Sequence, residues 1–164
     1  MTVSRTDFPA GFENFEEIRN QGKIYMDKTF YLRDLLTGAV VTLLLRPRRF
    51  GKTLSMSMLE KFVQINYSNP EDRSRQEKLF EDLAVYEDRE LCDQFMGRCP
   101  AISISLKSVK GKDFSDAMKS MLKLLRNLTS SQILKHDKPQ CPAKNERSFY
   151  VIDTLFTFRY QHFS

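Results

Sequence analysis

The chain has no tryptophan, only three cysteines and only two histidines in 164 residues. Cys92, Cys99 and Cys141 contain no CxxC pair, and His136 and His162 sit far from any cysteine pair, so zinc-site spacing is absent. So small and odd a set of cysteines points to a reducing compartment rather than a disulfide framework. Long hydrophobic runs are missing as well. The longest, Ala39–Leu45, is interrupted by Thr42 and falls far short of the roughly 20 apolar residues of a membrane helix. No apolar h-region appears in "MTVSRTDFPAGFENF", so no signal peptide is read. A cytoplasmic protein without a membrane partner is the resulting expectation. Excess charge is small too: 26 Lys+Arg against 21 Asp+Glu leave a net +5, which is compatible with a polyanion partner without demanding one. No internal repeat is visible.

Apolar residues at 41% and charged residues at 29% are ordinary for a globular protein and argue against wholesale disorder. The length fits one domain. Phe8, Phe12, Phe15 and Ile18 recur at roughly helical spacing until Gly22. "KIYMDKT" (23–29) reads as extended, with Thr29 as the cap of a helix whose apolar face is Tyr31, Leu32, Leu35 and Leu36. "AVVTLLL" (39–45) is a β-branched apolar run without alternation, the pattern of a strand buried on both faces. From Lys52 a helix should run to about Tyr67, with Leu54, Met58 and Phe62 four apart and Leu59 and Val63 beside them. A polar stretch (68–78) and a mixed helical region reach about Met96. "CPAISISL" (99–106) is a second expected strand. Asp113 can cap a helix from Phe114 to about Leu128 that buries Met118, Met121, Leu122 and Leu125. After Ser130 the sequence is Pro-containing and aperiodic, and 149–163 is aromatic and β-prone. The reading is a preamble (1–38), a core (39–128) and an irregular tail (129–164). Strands alternating with helices imply an α/β fold with a parallel sheet.

Chemistry concentrates in "LLLRPRRFGKTLSMSML" (43–59). It ends like the phosphate loop G-x-x-x-x-G-K-[ST], but Arg46 stands where the first glycine belongs. Such a loop joins a buried strand to a helix, whose N-terminal amides and dipole attract phosphate. Glycine allows close backbone approach, the lysine reaches the terminal phosphates, and the threonine hydroxyl takes Mg²⁺. The expected strand leads in and the expected helix leads out. Arg46, Arg48, Arg49 and Lys52 place four positive charges in seven residues, and arginine suits phosphate as a bidentate donor. The expected fold is therefore a partial P-loop NTPase-like parallel sheet with flanking helices, and the expected ligands are ATP and Mg²⁺ on a non-standard Walker A loop.

"RPRRFGKTLSMSML" closely resembles the N-terminal domain of the AAA-ATPase-like family of bacterial proteins, which often precedes a PD-(D/E)XK nuclease-like domain. That family's loop also lacks the first glycine. Tyr25, Asp27, Lys28 and Thr29 resemble its Tyr-x-Asp-Lys-Thr signature, and 78–88 and 99–125 resemble the segments after the loop helix. The resemblance covers about residues 8–126. It implies that Gly51, Lys52 and Thr53 hold phosphates and Mg²⁺, and that the backbone of Arg48, Arg49, Phe50 and Leu54 lines the cradle. Asp27-Lys28-Thr29 reads as a strand end with a helix cap, or as a flank of the nucleotide.

Hydrolysis also needs an acidic residue on the metal and a group that positions water. The family's pattern fades near Leu128, before its acidic strand, and only Asp153 at the end of "FYVID" superficially fits. The expectation is an incomplete, truncated or frameshifted ATPase domain that binds a nucleotide without an assured turnover. An exposed edge of the 40–45 strand would then favour self-association. The alternatives are a basic nucleic-acid-binding module, built on Arg46–Lys52 and Lys107–Lys112, and a non-functional remnant.

Overall fold

The computed structural model describes residues 8, 9, 11–38, 42, 44, 45, 47, 50–106, 109–130 and 149–153. Helix α1 spans Phe15–Asn20, because the Asn14 side chain caps it by accepting from the Glu16 amide at 3.1 Å. It ends where Gly22 takes φ 61°. The Lys23 and Gly22 amides then return to the carbonyls of Ile18 and Arg19, both at 3.1 Å, which satisfies the last turn. The helical spacing expected from residue 8 is thus realised only over Phe15–Asn20. A 3-10 turn, Thr29–Tyr31, leads into α2, Leu32–Thr37, which buries Leu32 and Leu36.

Helix α3, Lys52–Val63, is the spine of the core. Met58, Phe62 and Val63 are fully buried, and Leu54 and Leu59 pack partly against the same cluster. It stops short of the expected Tyr67 because its end is engaged elsewhere. Gly97 and Cys99 donate to the carbonyls of Phe62 and Val63 at 2.8 and 2.9 Å, and Ile65 donates to Cys99 at 3.0 Å. Helix α4, Ser74–Phe80, a second 3-10 turn, Ala84–Glu87, and α5, Arg89–Phe95, follow. Aromatic rings join these helices: Phe15 stacks on Phe80 at 4.9 Å and Phe62 meets Phe80 edge-on at 5.2 Å. On the surface, Arg75 clasps Glu16 through two bonds of 2.8 and 2.5 Å and Arg33 clasps Asp88 through two of 2.6 and 2.5 Å.

Strand β1, Ala101–Ser105, falls within the expected 99–106. It pairs in parallel with β2, Phe149–Asp153, from Ala101 opposite Phe149 to Ser105 opposite Asp153. Between them, α6 covers Phe114–Ser130. Asp113 caps α6 as expected, accepting from the Asp116 amide at 2.8 Å.

Two expectations are overturned. The partial P-loop NTPase-like parallel sheet is not formed: the described chain is mostly helical, and its sheet is this one short pair. Thr42, Leu44 and Leu45 are in no strand, and Leu45 is 80% exposed. Residues 39–41 and 43 lie outside the described residues. An apolar run becomes a central strand only when ladders on both sides take its backbone groups, and no such neighbour flanks it among the described residues. Second, α6 does not bury the apolar face expected of it: Met118, Leu122 and Leu125 are 45, 46 and 46% exposed, and Met121 is only half-buried.

Candidate functional site

Gly51 caps α3 with φ 72° and ψ 26°, a left-handed conformation that glycine adopts without a Cβ penalty. Its carbonyl accepts the first bond of the helix, from the Ser55 amide at 2.8 Å. No side chain caps this end, whereas Asn14 caps α1 and Asp88 caps α5. The amides at the head of a helix have no acceptor inside it. The first turn of α3 also contains no acid, while the other five α-helices among the described residues carry one or two there: Glu16 and Glu17, Asp34, Glu77, Glu90 and Asp116. Lys52 occupies the position instead, the wrong sign for the helix dipole unless an anion lies nearby.

A second cation reaches the same point. The Lys28 Nζ lies 3.7 Å from where a Cβ on Gly51 would sit. Its neighbours explain how it is held. The Asp27 Oδ1 accepts from the Thr29 amide and hydroxyl, both at 2.7 Å, and its Oδ2 accepts from the Ala84 amide at 2.7 Å. The buried Thr29 hydroxyl accepts in turn from the Val85 amide at 3.1 Å. Burial pushes the Asp27 carboxyl upward, but the bonds from Ala84 and Thr29 outweigh it and hold the group below the usual carboxylate range. Asp27 and Thr29 therefore fasten this loop to the second 3-10 turn, and Lys28 between them is delivered to the head of α3. The expected helix cap at Thr29 is not made, because its hydroxyl is taken by Asp27 and Val85.

Beside this point an open cleft of about 280 Å³ runs between α3 and β1. Thr53, Ser57 and Glu60 line one wall, and Ser103 and Ser105 the other. The β register sets the backbone of Asp153 next to Ser105.

The structure thus gathers Gly51, Lys52, Thr53 and Leu54 at one helix end, with Phe50 just before it and 59% exposed. Arg46, Arg48 and Arg49 lie outside the described residues. The Walker A arrangement of strand, loop and helix is corrected to its helix alone, since the strand expected to lead in is not formed at Thr42, Leu44 or Leu45. Lys28 lies in the segment read as a strand end with a helix cap or as a flank of the nucleotide, and its place beside Gly51 follows from the bonds of Asp27 and Thr29. No cluster of three or more His, Cys, Asp or Glu suited to a metal occurs among the described residues. Nor is any helix among them long and apolar enough to cross a membrane.

A family model described as Predicted AAA-ATPase matches residues 9–161. The chain belongs to the AAA-ATPase-like family. No curated protein and no solved structure matches it. The match runs past Leu128, where the resemblance was read to fade, and takes in β2 and most of the tail. Membership links this AAA-ATPase-like chain to nucleotide-binding proteins at the level of the family.

Proposed function

We propose that this AAA-ATPase-like chain binds the phosphates of ATP, with Mg²⁺, at the head of α3. The observation that carries the reading is the approach of Lys28 to Gly51, which puts two cations, Lys28 and Lys52, at a helix end that has neither acid nor side-chain cap. Phosphate oxygens would accept from both ammonium groups and from backbone amides of the first turn. The left-handed Gly51 leaves room for that approach. Thr53, on the wall of the cleft, would offer its hydroxyl to Mg²⁺, and the backbone of Arg48, Arg49, Phe50 and Leu54 would complete the cradle. Magnesium would supply charge neutralisation between the phosphates. Binding is the activity proposed; turnover further needs an acidic metal partner and an oriented water.

Calorimetry of Mg·ATP with the full chain and with Lys52→Ala, with phosphate release followed in the same samples, tests this. Binding that weakens by about tenfold or more in the variant, without release, is the expected result. Absence of binding to the unmodified chain overturns the reading. So does binding that falls steeply with salt and is shared among many Lys and Arg, the behaviour of a polyanion patch. Release of phosphate would call for Asp153→Asn, since its backbone register lies beside the cleft wall.

A further inference from the structure

Exposed apolar side chains gather where the two cations meet. Met26 and Phe30 stand two residues before and two after Lys28 and are 77 and 70% exposed. Ile24 on the same loop and Phe50, next to Gly51, are exposed as well. Single surface hydrophobics are ordinary, whereas a group of them beside paired cations marks a binding surface. The loop is not free to turn them inward. Tyr25 is held by Phe15, edge-on at 5.1 Å, and by Met58, whose Sδ accepts from its hydroxyl at 3.1 Å. Asp27 and Thr29 are held by the Ala84 and Val85 amides at 2.7 and 3.1 Å. These three anchors take the inner side of the loop and leave Met26 and Phe30 to the outer one. The one ring contact of Phe30 among the described residues is with Tyr31, at 5.6 Å with the planes at 90°, so no ring stacks on it.

We infer that Met26 and Phe30 form the platform for the base of the nucleotide, an inference that rests on the phosphate reading above. Residues two apart lie at most about 7 Å from each other along the backbone, so the platform starts within a side-chain length of Lys28. Lys28 thereby stands between two chemistries, phosphate toward Gly51 and apolar surface toward its own neighbours in the chain. A nucleobase stacks on a phenyl ring through its π face, and a thioether packs well against an aromatic edge. One small molecule that is anionic at one end and flat and apolar at the other meets both demands. Inorganic polyphosphate meets only the first, which makes it the discriminating ligand.

Calorimetry on the full chain with Mg·ATP and with Mg·tripolyphosphate, at one salt concentration, tests the platform. Mg·ATP should bind about tenfold or more tightly than Mg·tripolyphosphate, the worth of a base stacked on an aromatic ring. Phe30→Ser and Met26→Ser should each bring ATP toward tripolyphosphate and leave tripolyphosphate unchanged, and that retained binding shows the variants to be folded. Should a variant lose both ligands, peroxide oxidation of the unmodified chain, mapped by mass spectrometry, gives the same comparison. Met26 should then oxidise about threefold or more slowly with saturating Mg·ATP than with Mg·tripolyphosphate, while the fully buried Met58 stays slow throughout. Equal affinity of the two ligands for the unmodified chain overturns the platform and leaves the phosphate reading standing. An ATP preference that survives both substitutions overturns it too. If neither ligand binds, the phosphate reading itself fails, and the platform with it.

Discussion

The Lys28 ammonium and Gly51 meet at the head of α3, with Lys28 Nζ 3.7 Å from the position of a Cβ on the glycine. Lys52 begins the same helix. Two cations at a positive helix end oppose the macrodipole in the ligand-free chain. Stability and binding should therefore move in opposite directions. Lys28→Ala and Lys52→Ala are each expected to raise the stability of the free chain by about 0.3–1 kcal/mol. Each should also weaken Mg·ATP by about tenfold or more, the worth of a charge-assisted phosphate contact. Urea unfolding paired with calorimetry reads both. Variants that lose stability without touching affinity would make the lysines ordinary surface residues.

Gly51 itself should be intolerant of a side chain for conformational rather than steric reasons. The added Cβ would make only ordinary contact with Lys28, but φ 72° is a left-handed conformation. Gly51→Ala should cost about 1–2 kcal/mol, and Gly51→Asn should cost less because asparagine visits this region more readily. Equal midpoints for the two variants in urea would contradict the assignment.

Local signals in the sequence translated well where they were self-contained. The Leu54, Met58, Phe62 spacing gave α3, Asp113 gave the start of α6, and "AISIS" gave β1. They translated poorly where a partner decides the outcome. "AVVTLLL" has the composition of a central strand, yet a strand exists only through its neighbours, and the described residues supply none. The α6 periodicity marks an apolar face but not what covers it. The head of α3 was legible from Gly51-Lys52-Thr53 alone, whereas Lys28 arrives from a distant loop. Its placement depends on Asp27 and Thr29 bonding to Ala84 and Val85, contacts between segments more than 50 residues apart.

Cys92 and Cys99 are 3% and 0% exposed. Burial, with the nearby Asp88 charge, pushes the Cys92 thiol up to about 11, so almost none of it is thiolate at neutral pH. Its Sγ also donates to the Val85 carbonyl at 3.3 Å. Both residues should stay unmodified by an aromatic disulfide reagent at pH 8 until denaturant is added, as peptide mapping would show. Rapid labelling of Cys92 in the folded chain would mean that the α5 region opens readily.

Asp27 should govern part of the acid stability. Its carboxyl is held below the ordinary range in the folded chain, so it binds a proton less readily there than when unfolded. Its contribution is therefore complete above the unfolded carboxylate value, about pH 4, and is lost as pH falls through the lower folded value. Asp27→Asn retains one oxygen for Thr29 but turns an NH₂ group toward the Ala84 amide, or the reverse, so one donor faces another. The variant should lose about 1–3 kcal/mol at pH 7, the cost of leaving such groups unsatisfied. Its stability should also decline less steeply below pH 4, because the titrating group is gone. Glu16, Asp88 and Asp72, lowered chiefly by their bonds to Arg75, Arg33 and Ser74, keep the remaining slope. Thermal melts of both proteins between pH 2.5 and pH 7 (about the span of carboxylate titration) decide the matter. Parallel acid limbs would show that the Asp27 clasp is not formed, and with it would go the structural reason for Lys28 standing beside Gly51.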